Sequence, residues 1–188
     1  MFLGVVIAAI SLIFFGCVDD QKSIELYLQK LQSLGLYRLD NFQERYVVHY
    51  YLRNQDRHPN LSRRHRVRAE FNAKKRQLKQ EWCAHYAVKW PTETQRITPK
   101  GNSPTAVDFQ AHHVIPINAG GINHWWNIWP ISDRNHKKLH ASLEERACFA
   151  HDILEQKIYR LILKIREIFY EFGEKLTNFK QDPRIRQE

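Results

Sequence analysis

The sequence has few cysteines and none in a CxxC pair. Cysteine pairs at that spacing mark zinc ribbons and thioredoxin-like redox sites, so neither class of protein is indicated. Cys83 and Cys148 could pair in an oxidising compartment, but both fall in segments with helical patterns. We therefore expect each of them to be a small buried side chain with a free thiol.

Basic residues are absent from the first 20 positions, which hold an uncharged apolar run at 2–18. This run is shorter than the ~20 residues of a membrane helix and fits the core of a signal peptide. Its end resembles a bacterial lipoprotein cleavage site with Cys17 as the lipidated residue, although Phe14 stands where that signal prefers leucine. We expect residues 1–18 to direct export or membrane anchoring. The protein would then lie in the bacterial periplasm or envelope, or be secreted. A short uncleaved anchor, a buried N-terminal helix and a mispredicted start are the alternatives.

The rest of the chain carries all 29 lysines and arginines and gives the protein a formal net charge of +9. So basic a chain favours a polyanionic partner, either nucleic acid or an anionic membrane surface. Its 43% hydrophobic and 12% aromatic content is ample for a core and excludes a disordered tail. We expect one domain with appendages among its 188 residues.

Apolar residues at helical spacing predict two helices within 22–54. Gly35 is suited to end the first helix, because glycine readily adopts the left-handed conformation of a helix C-terminus. Asp40 and Gln43 form a capping-box pattern at the start of the second helix. The aromatic residues of this region are expected to pack in the core, and no function is assigned to them.

A third helix is expected to begin at Ser62 and to end before Pro91. Its first half is strongly basic, with nine Lys or Arg and one acid, Glu70, between positions 57 and 79. An apolar stripe along it lets one face pack while the other stays basic. A charged run is often only a solvated face, but its single sign favours a surface that contacts phosphates. The candidate contacts are Arg63, Arg64, Arg66, Arg68, Lys74 and Lys75.

The segment 91–108 is rich in Pro, Thr, Ser and Gly and predicts a loop, with a short strand around 96–97. After it, residues 109–115 predict a short strand, and Pro116, Gly120 and Gly121 predict a tight turn. The apolar stretch 125–131 is expected to be a second strand or a loop pressed into the core.

Five of the ten histidines lie between positions 109 and 140. Ser132 is suited to cap a helix on which His136 and His140, four residues apart, share one face. These two and His112 can bind one divalent ion and leave positions open for water and a phosphate oxygen. Imidazole suits zinc and nickel well and magnesium less well, and manganese stays a further candidate.

The adjacent His113 is suited to act as a general base on an attacking water, because its unperturbed pKa lies near neutrality. Asn127 has no acid–base chemistry, but its amide can tie the loop to the strand and hold His113 in place. His124 matches no ligand position and is expected to be a loop residue. Three basic residues of the metal helix could contact flanking phosphates: Arg134, Lys137 and Lys138.

The layout HHVIPI, Gly-Gly, WWN and a His pair four apart resembles the HNH motif of ββα-metal nucleases. It is most similar to the DNase domains of colicins and S-type pyocins and to HNH modules of bacterial polymorphic toxins. The resemblance covers about residues 62–145 and implies His112, His136 and His140 as metal ligands, with His113 as the base. Those DNases carry an acid two residues before the histidine pair, where this chain has Gln110, so the resemblance does not extend to that phosphate-positioning acid.

We therefore predict an α+β, predominantly helical fold in which a ββα-metal motif sits on a helical scaffold. The expected parts are a leader at 1–18, a helical region at 19–61, a nuclease core at 62–145 and a C-terminal helix at 146–188. Ser142 and Glu145 form a capping box that is expected to open this last helix, which runs to about Leu176. Its broad apolar face should pack on the earlier helices, or alternatively on a partner chain. The face comprises Phe149, Ile153, Ile158, Leu161, Ile162, Ile165, Phe169 and Phe172.

The predicted activity is metal-dependent hydrolysis of DNA, with RNA as an alternative substrate, leaving 5′-phosphate and 3′-hydroxyl ends as the resemblance implies. Sequence specificity should be low, because no separate base-reading module is present. A toxin or effector with a cognate immunity protein is the first interpretation. A surface nuclease that degrades foreign DNA is the second, and a non-catalytic, membrane-tethered nucleic-acid-binding protein is the third.

Overall fold

The computed structural model describes residues 20–54, 60–95, 105–150 and 153–181. The protein is mostly helical with two small antiparallel sheets and belongs to the α+β class. The helices are α1 Asp20–Leu34, α2 Asn41–Asn54, α3 Leu61–Tyr86, α4 Asp133–His140, α5 Leu143–Phe149 and α6 Ile153–Gln181. The strands are β1 Thr92–Gln95, β2 Thr105–Asp108, β3 Gln110–His113 and β4 Ile128–Ile131, with short 3₁₀ turns at Ile117–Ala119 and Trp125–Asn127.

Helix α1 ends where the sequence predicts, and helix α2 begins where the sequence predicts. The amide of Gly35 donates to the Leu31 carbonyl at 3.0 Å and closes α1. A side chain at Gly35 would come within 2.8 Å of the Trp129 indole nitrogen, so this position also requires a close approach. The Asp40 carboxylate accepts from the Gln43 amide at 2.7 Å and caps α2.

Helix α3 begins and ends earlier than predicted. Asn60, not Ser62, is its N-cap, because the side-chain oxygen of Asn60 accepts from the Arg63 backbone amide at 2.9 Å. The helix ends at Tyr86, well before Pro91, where Ala87 adopts a left-handed conformation with φ of 54°. A left-handed residue reverses the chain without a proline, so Pro91 lies outside the helix.

A hairpin replaces the predicted loop between α3 and the histidine motif. Strands β1 and β2 pair in antiparallel register from Thr92 with Asp108 to Gln95 with Thr105. Their sequences, TETQ and TAVD, carry few apolar residues, so no alternation marked them as strands. The strand predicted around 96–97 lies outside the described residues.

The second sheet carries the histidine pair. Strand β3 pairs with β4, and His112 stands opposite Trp129 while His113 stands opposite Ile128. All four residues of β4 are buried, which confirms the second strand predicted within 125–131. The core around β4 includes buried residues of α1 and α3. Its fully buried members include Ile24, Tyr27, Leu28, Leu31, Trp82, Trp129 and Ile131.

The single long C-terminal helix predicted from Ser142 is wrong. Helix α5 ends at Phe149, since Ala150 has left the helical region with ψ of 143°, and α6 starts at Ile153. The break lets the Phe149 ring pack edge-on against Tyr27 at 4.9 Å between ring centroids. Aromatic pairs prefer this arrangement, and it fixes α5 beneath α1.

The predicted burial of this apolar face is also wrong for four of its six members with described side chains, whereas Phe149 is buried and Leu161 is half-buried. Ile158, Ile162, Ile165 and Phe169 are exposed, and Phe169 is 71% accessible. The side chains of Ile153 and Phe172 lie outside the described residues. Ion pairs join α6 to α1 and α5 instead, through Arg160 with Asp20 and Arg166 with Glu144.

Two predictions outside the motif concern the thiols and the leader. Cys83 is half-buried and Cys148 is buried, and both are free thiols, as expected. The leader at 1–18 lies outside the described residues. In the part of the chain that the structure describes, no helix is long and apolar enough to cross a membrane.

Candidate metal centre and its cleft

Three histidines from two elements converge on one point. His112 lies at the third position of β3, and His136 and His140 lie one turn apart on α4. Ser132 caps α4 by accepting from the Asn135 amide at 3.3 Å, as the sequence predicts. The Asn135 side chain then donates to the Leu34 carbonyl at 2.8 Å and holds α4 against the end of α1.

The ring nitrogens of these histidines are spaced for a shared metal ion. His112 Nδ1 is 3.1 Å from His136 Nε2, which is 2.9 Å from His140 Nε2. The three nitrogens all lie within 4.8 Å of one another. Ligands at the Zn–N distance of about 2.0–2.1 Å stand about 3.3 Å apart around a tetrahedral ion. The donor set therefore fits a divalent ion, and the exposed side of His140 leaves room for further ligands.

The Tyr27 hydroxyl fixes which nitrogen His112 presents. Tyr27 donates its hydroxyl proton to the Val114 carbonyl at 2.8 Å. Its oxygen must then accept from His112 Nε2, which is 3.1 Å away. With the proton on Nε2, Nδ1 keeps its lone pair and faces the other two histidines. Burial raises the pKa of Tyr27 well above its usual value, so the hydroxyl keeps its proton.

The Glu145 carboxylate makes the equivalent contact with His140. Glu145 Oε1 lies 2.5 Å from His140 Nδ1. A carboxylate only accepts, so Nδ1 donates and Nε2 is left to face His136. This contact raises the pKa of His140.

Burial shapes the protonation of the other two ligands. The pKa of His112 lies well below its usual value, first because the ring is buried and then because His136 and His140 are close. Burial also lowers the pKa of His136. Low pKa values favour neutral imidazole, which is the form that binds metal ions.

His113 lies in the same cleft and has its own partner. Asn123 donates its amide N–H to the Val67 carbonyl at 2.8 Å, so its oxygen faces His113 Nε2 at 3.0 Å. His113 therefore donates from Nε2 and keeps a lone pair on Nδ1. Burial lowers the pKa of His113. Phe71 packs on its ring, with centroids 4.4 Å apart.

Asn127 is fully buried, and its side chain bonds to backbone groups. Its oxygen accepts from the Ile115 amide at 2.7 Å, and its amide donates to the carbonyls of Ile115 and Ile122 at 3.1 and 3.0 Å. Asn127 thus joins the Gly-Gly loop to the end of β3. The hydrogen bond to the His113 ring comes from Asn123.

A cleft of about 710 Å³ opens over the four histidines, and one face of α3 forms its wall. Arg64, Arg68 and Lys75 line this cleft. The other candidate phosphate contacts are exposed outside the cleft lining: Arg63, Arg66, Lys74, Arg134, Lys137 and Lys138. Lys74 pairs with Glu70 and Lys137 with Asp133, each at 2.7 Å.

Gln110 also lines the cleft. It stands at the position where the DNases that the sequence resembles have an acidic residue. The nearest upstream acid, Asp108, pairs with Lys79 at 2.8 Å. His124 is exposed and does not line the cleft. Sequence reasoning missed three hydrogen-bond partners of the histidines: Tyr27, Asn123 and Glu145. The signals for Asn123 and Glu145 were their positions inside and just after the motif, while nothing distinguished Tyr27 from other core aromatics.

Comparison with known proteins gives a partial match. The chain is 34% identical over 79 residues to a protein of Dickeya dadantii (strain 3937) named "Probable deoxyribonuclease RhsB". The matched part is 41% of this chain but 5% of that much longer protein. No protein-family description matches the chain.

Proposed function

We propose that this protein is a metal-dependent endonuclease of the HNH, ββα-metal type that hydrolyses DNA with little sequence specificity. The observation that carries the proposal is the cluster of three histidine nitrogens within 4.8 Å of one another beneath a basic cleft. The arrangement of β3, β4 and α4 around this cluster supports it. The similarity to a protein named a probable deoxyribonuclease supports DNA as the substrate.

Arg64, Arg68 and Lys75 bind the phosphates of the strand and place one phosphodiester over the histidines. His112, His136 and His140 would hold the divalent ion. When bound there, the ion would supply Lewis-acid stabilisation of the charge that develops on the phosphate. Zinc and nickel suit the all-imidazole set best, with magnesium and manganese as alternatives.

His113 acts as the general base through the free lone pair on Nδ1. It accepts a proton from a water molecule while the water oxygen forms a bond to phosphorus and the bond from phosphorus to O3′ breaks. The departing O3′ takes a proton from solvent, which leaves a 5′-phosphate and a 3′-hydroxyl. Asn123 holds the ring of His113 in the tautomer that this step needs.

The biological setting that fits best is a bacterial toxin or effector nuclease, with a cognate immunity protein as partner. Export or membrane association through residues 1–18 belongs to the same proposal. The similarity to the Dickeya protein supports the nuclease activity, and the apolar run at 2–18 supports the export.

Plasmid cleavage by the purified protein tests the proposal. We expect nicking that a chelator abolishes and that added zinc, nickel, magnesium or manganese restores. His113→Ala should lower the rate by about 10²–10⁴-fold, which is the usual contribution of a general base. His124→Ala is the matched control and should cleave at the wild-type rate, because His124 lies outside the cleft. A His113→Ala variant that nicks plasmid as fast as wild type would show that the base is assigned wrongly.

A further inference from the structure

Glu145 has a buried carboxylate, and capping of helix α5 does not account for the contact that this carboxylate makes. It lies in the first turn of α5 and is 8% exposed. A capping-box glutamate would accept from the Ser142 amide, but that amide donates to the Leu139 carbonyl at 2.9 Å. The side chain turns to His140 instead, at 2.5 Å from Nδ1.

The other oxygen of Glu145, Oε2, is buried and has no hydrogen-bond partner among the described residues. The neighbouring Glu144 has the same burial but pairs with Arg166 at 2.8 Å. In the part of the chain that the structure describes, the ion pairs of Glu145 include no Lys or Arg. A buried carboxylate without a cation is costly, so its charge points to a positive centre held by His140.

Tyr27 makes the matching contact on the other side of the cluster. It is fully buried in α1, and its hydroxyl is committed between the Val114 carbonyl and His112 Nε2. An apolar side chain of similar shape, such as phenylalanine, would fill nearly the same space without a hydrogen bond to His112. The hydroxyl therefore has a function in orienting the ring as well as in packing.

We propose that Tyr27 and Glu145 are positioning residues that fix the tautomers of His112 and His140 and so strengthen the binding of a divalent metal ion. This inference rests on the proposed function, since it takes the three histidines as the metal ligands. Tyr27 holds the proton of His112 on Nε2 and leaves Nδ1 for the ion. Glu145 holds the proton of His140 on Nδ1, leaves Nε2 for the ion and increases the basicity of the ring.

Zinc affinity, measured by competition with a chromophoric chelator, tests the role of Glu145. Glu145→Met removes the acceptor and should weaken zinc binding by about 10–100-fold. Glu145→Gln keeps an oxygen that accepts from Nδ1 and should recover part of this loss. Glu144→Met is the matched control, and its zinc affinity should equal that of wild type. Equal affinity of Glu145→Met and Glu144→Met would overturn the inference.

Tyrosine variants test the other half in the same assay. Tyr27→Phe should weaken zinc binding by about 10-fold or more. Tyr51→Phe is the control, because Tyr51 is also buried but donates to the Cys148 carbonyl, away from the histidines. Unchanged affinity in Tyr27→Phe would remove Tyr27 from the proposal.

The tautomers can also be observed directly in the wild-type protein, which keeps the test decisive if a variant does not fold. In metal-free protein with ¹⁵N-labelled histidine, we expect the ring of His112 to carry its proton on Nε2 and that of His140 on Nδ1. The opposite tautomers would overturn the inference. Wild-type protein that binds none of zinc, nickel, magnesium and manganese would instead refute the proposed function itself, so the two failures are distinguishable.

Discussion

At the scale of single residues, the two asparagines near the motif have different tasks. Asn123 orients the ring of His113, whereas Asn127 connects the backbone at Ile115 to that at Ile122. The first contact affects chemistry and the second affects the shape of the loop. A change at each position should therefore be visible in a different measurement.

Asn127→Ala should destabilise the fold. The change leaves one amide and two carbonyls of the backbone buried without their side-chain partner, and we expect a loss of about 2–4 kcal/mol in the free energy of unfolding. Urea denaturation followed by circular dichroism measures it. Asn118→Ala, in the same loop but exposed, should change stability by less than about 0.5 kcal/mol. Equal stability of the two variants would contradict this account of Asn127.

The positions of the four cleft histidines could be predicted from sequence because local rules place them. Residues four apart share one helix face, and a strand next to a turn brings the histidine pair to the helix. Tyr27 could not be predicted, since its contact with His112 spans 85 positions. Glu145 was identified as a cap residue, but Ser142 needs only its own hydroxyl for the cap, and the carboxylate is free to reach His140.

At the scale of elements, α3 divides its positive charge between two faces. Arg64, Arg68 and Lys75 recur at helical spacing and line the cleft, while Arg63, Arg66 and Lys74 do not. The sequence predicts a basic helix but not this division, because charged residues occur on both faces. The apolar positions settle the orientation, since buried Leu78 and Trp82 fix which side of α3 faces the core.

Replacing Arg64, Arg68 and Lys75 together by glutamine should weaken DNA binding and reduce its salt dependence. Each lost phosphate contact lowers the slope of log K against log [salt] by about 0.9 for duplex DNA. The matched control replaces Arg63, Arg66 and Lys74 in the same way and removes the same charge. Fluorescence anisotropy at several salt concentrations measures both. Equal loss in the two triple variants would mean that net charge, and not the cleft face, binds DNA.

Two elements were predicted wrongly for physical reasons. The β1–β2 hairpin is exposed for much of its length, so polar residues such as Thr105 and Asp108 give no apolar alternation. The break between α5 and α6 falls at Ala150 and is not marked by a proline or a glycine. The sequence signals for a helix continue through it. Tertiary packing of Phe149 against Tyr27 and Tyr51 accompanies the break.

At the scale of the whole molecule, the candidate site depends on parts outside the segment that resembles HNH nucleases. Tyr27 comes from α1, and Gln43 of α2 donates to the Trp126 carbonyl at 2.6 Å beside the motif. The sequence could predict the motif as a local unit. It could not predict this dependence, because contacts between distant segments have no local pattern. The N-terminal helices are therefore part of the scaffold that positions the histidines.

An anomalous-difference map from crystals soaked in zinc tests the central claim most directly. We predict one peak per chain in the cleft, about 2.0–2.1 Å from His112 Nδ1, His136 Nε2 and His140 Nε2. His113 should not touch the ion, because its role requires a free Nδ1. A fully soaked crystal with no peak between these three nitrogens, or with a peak bound to His113, would contradict the account.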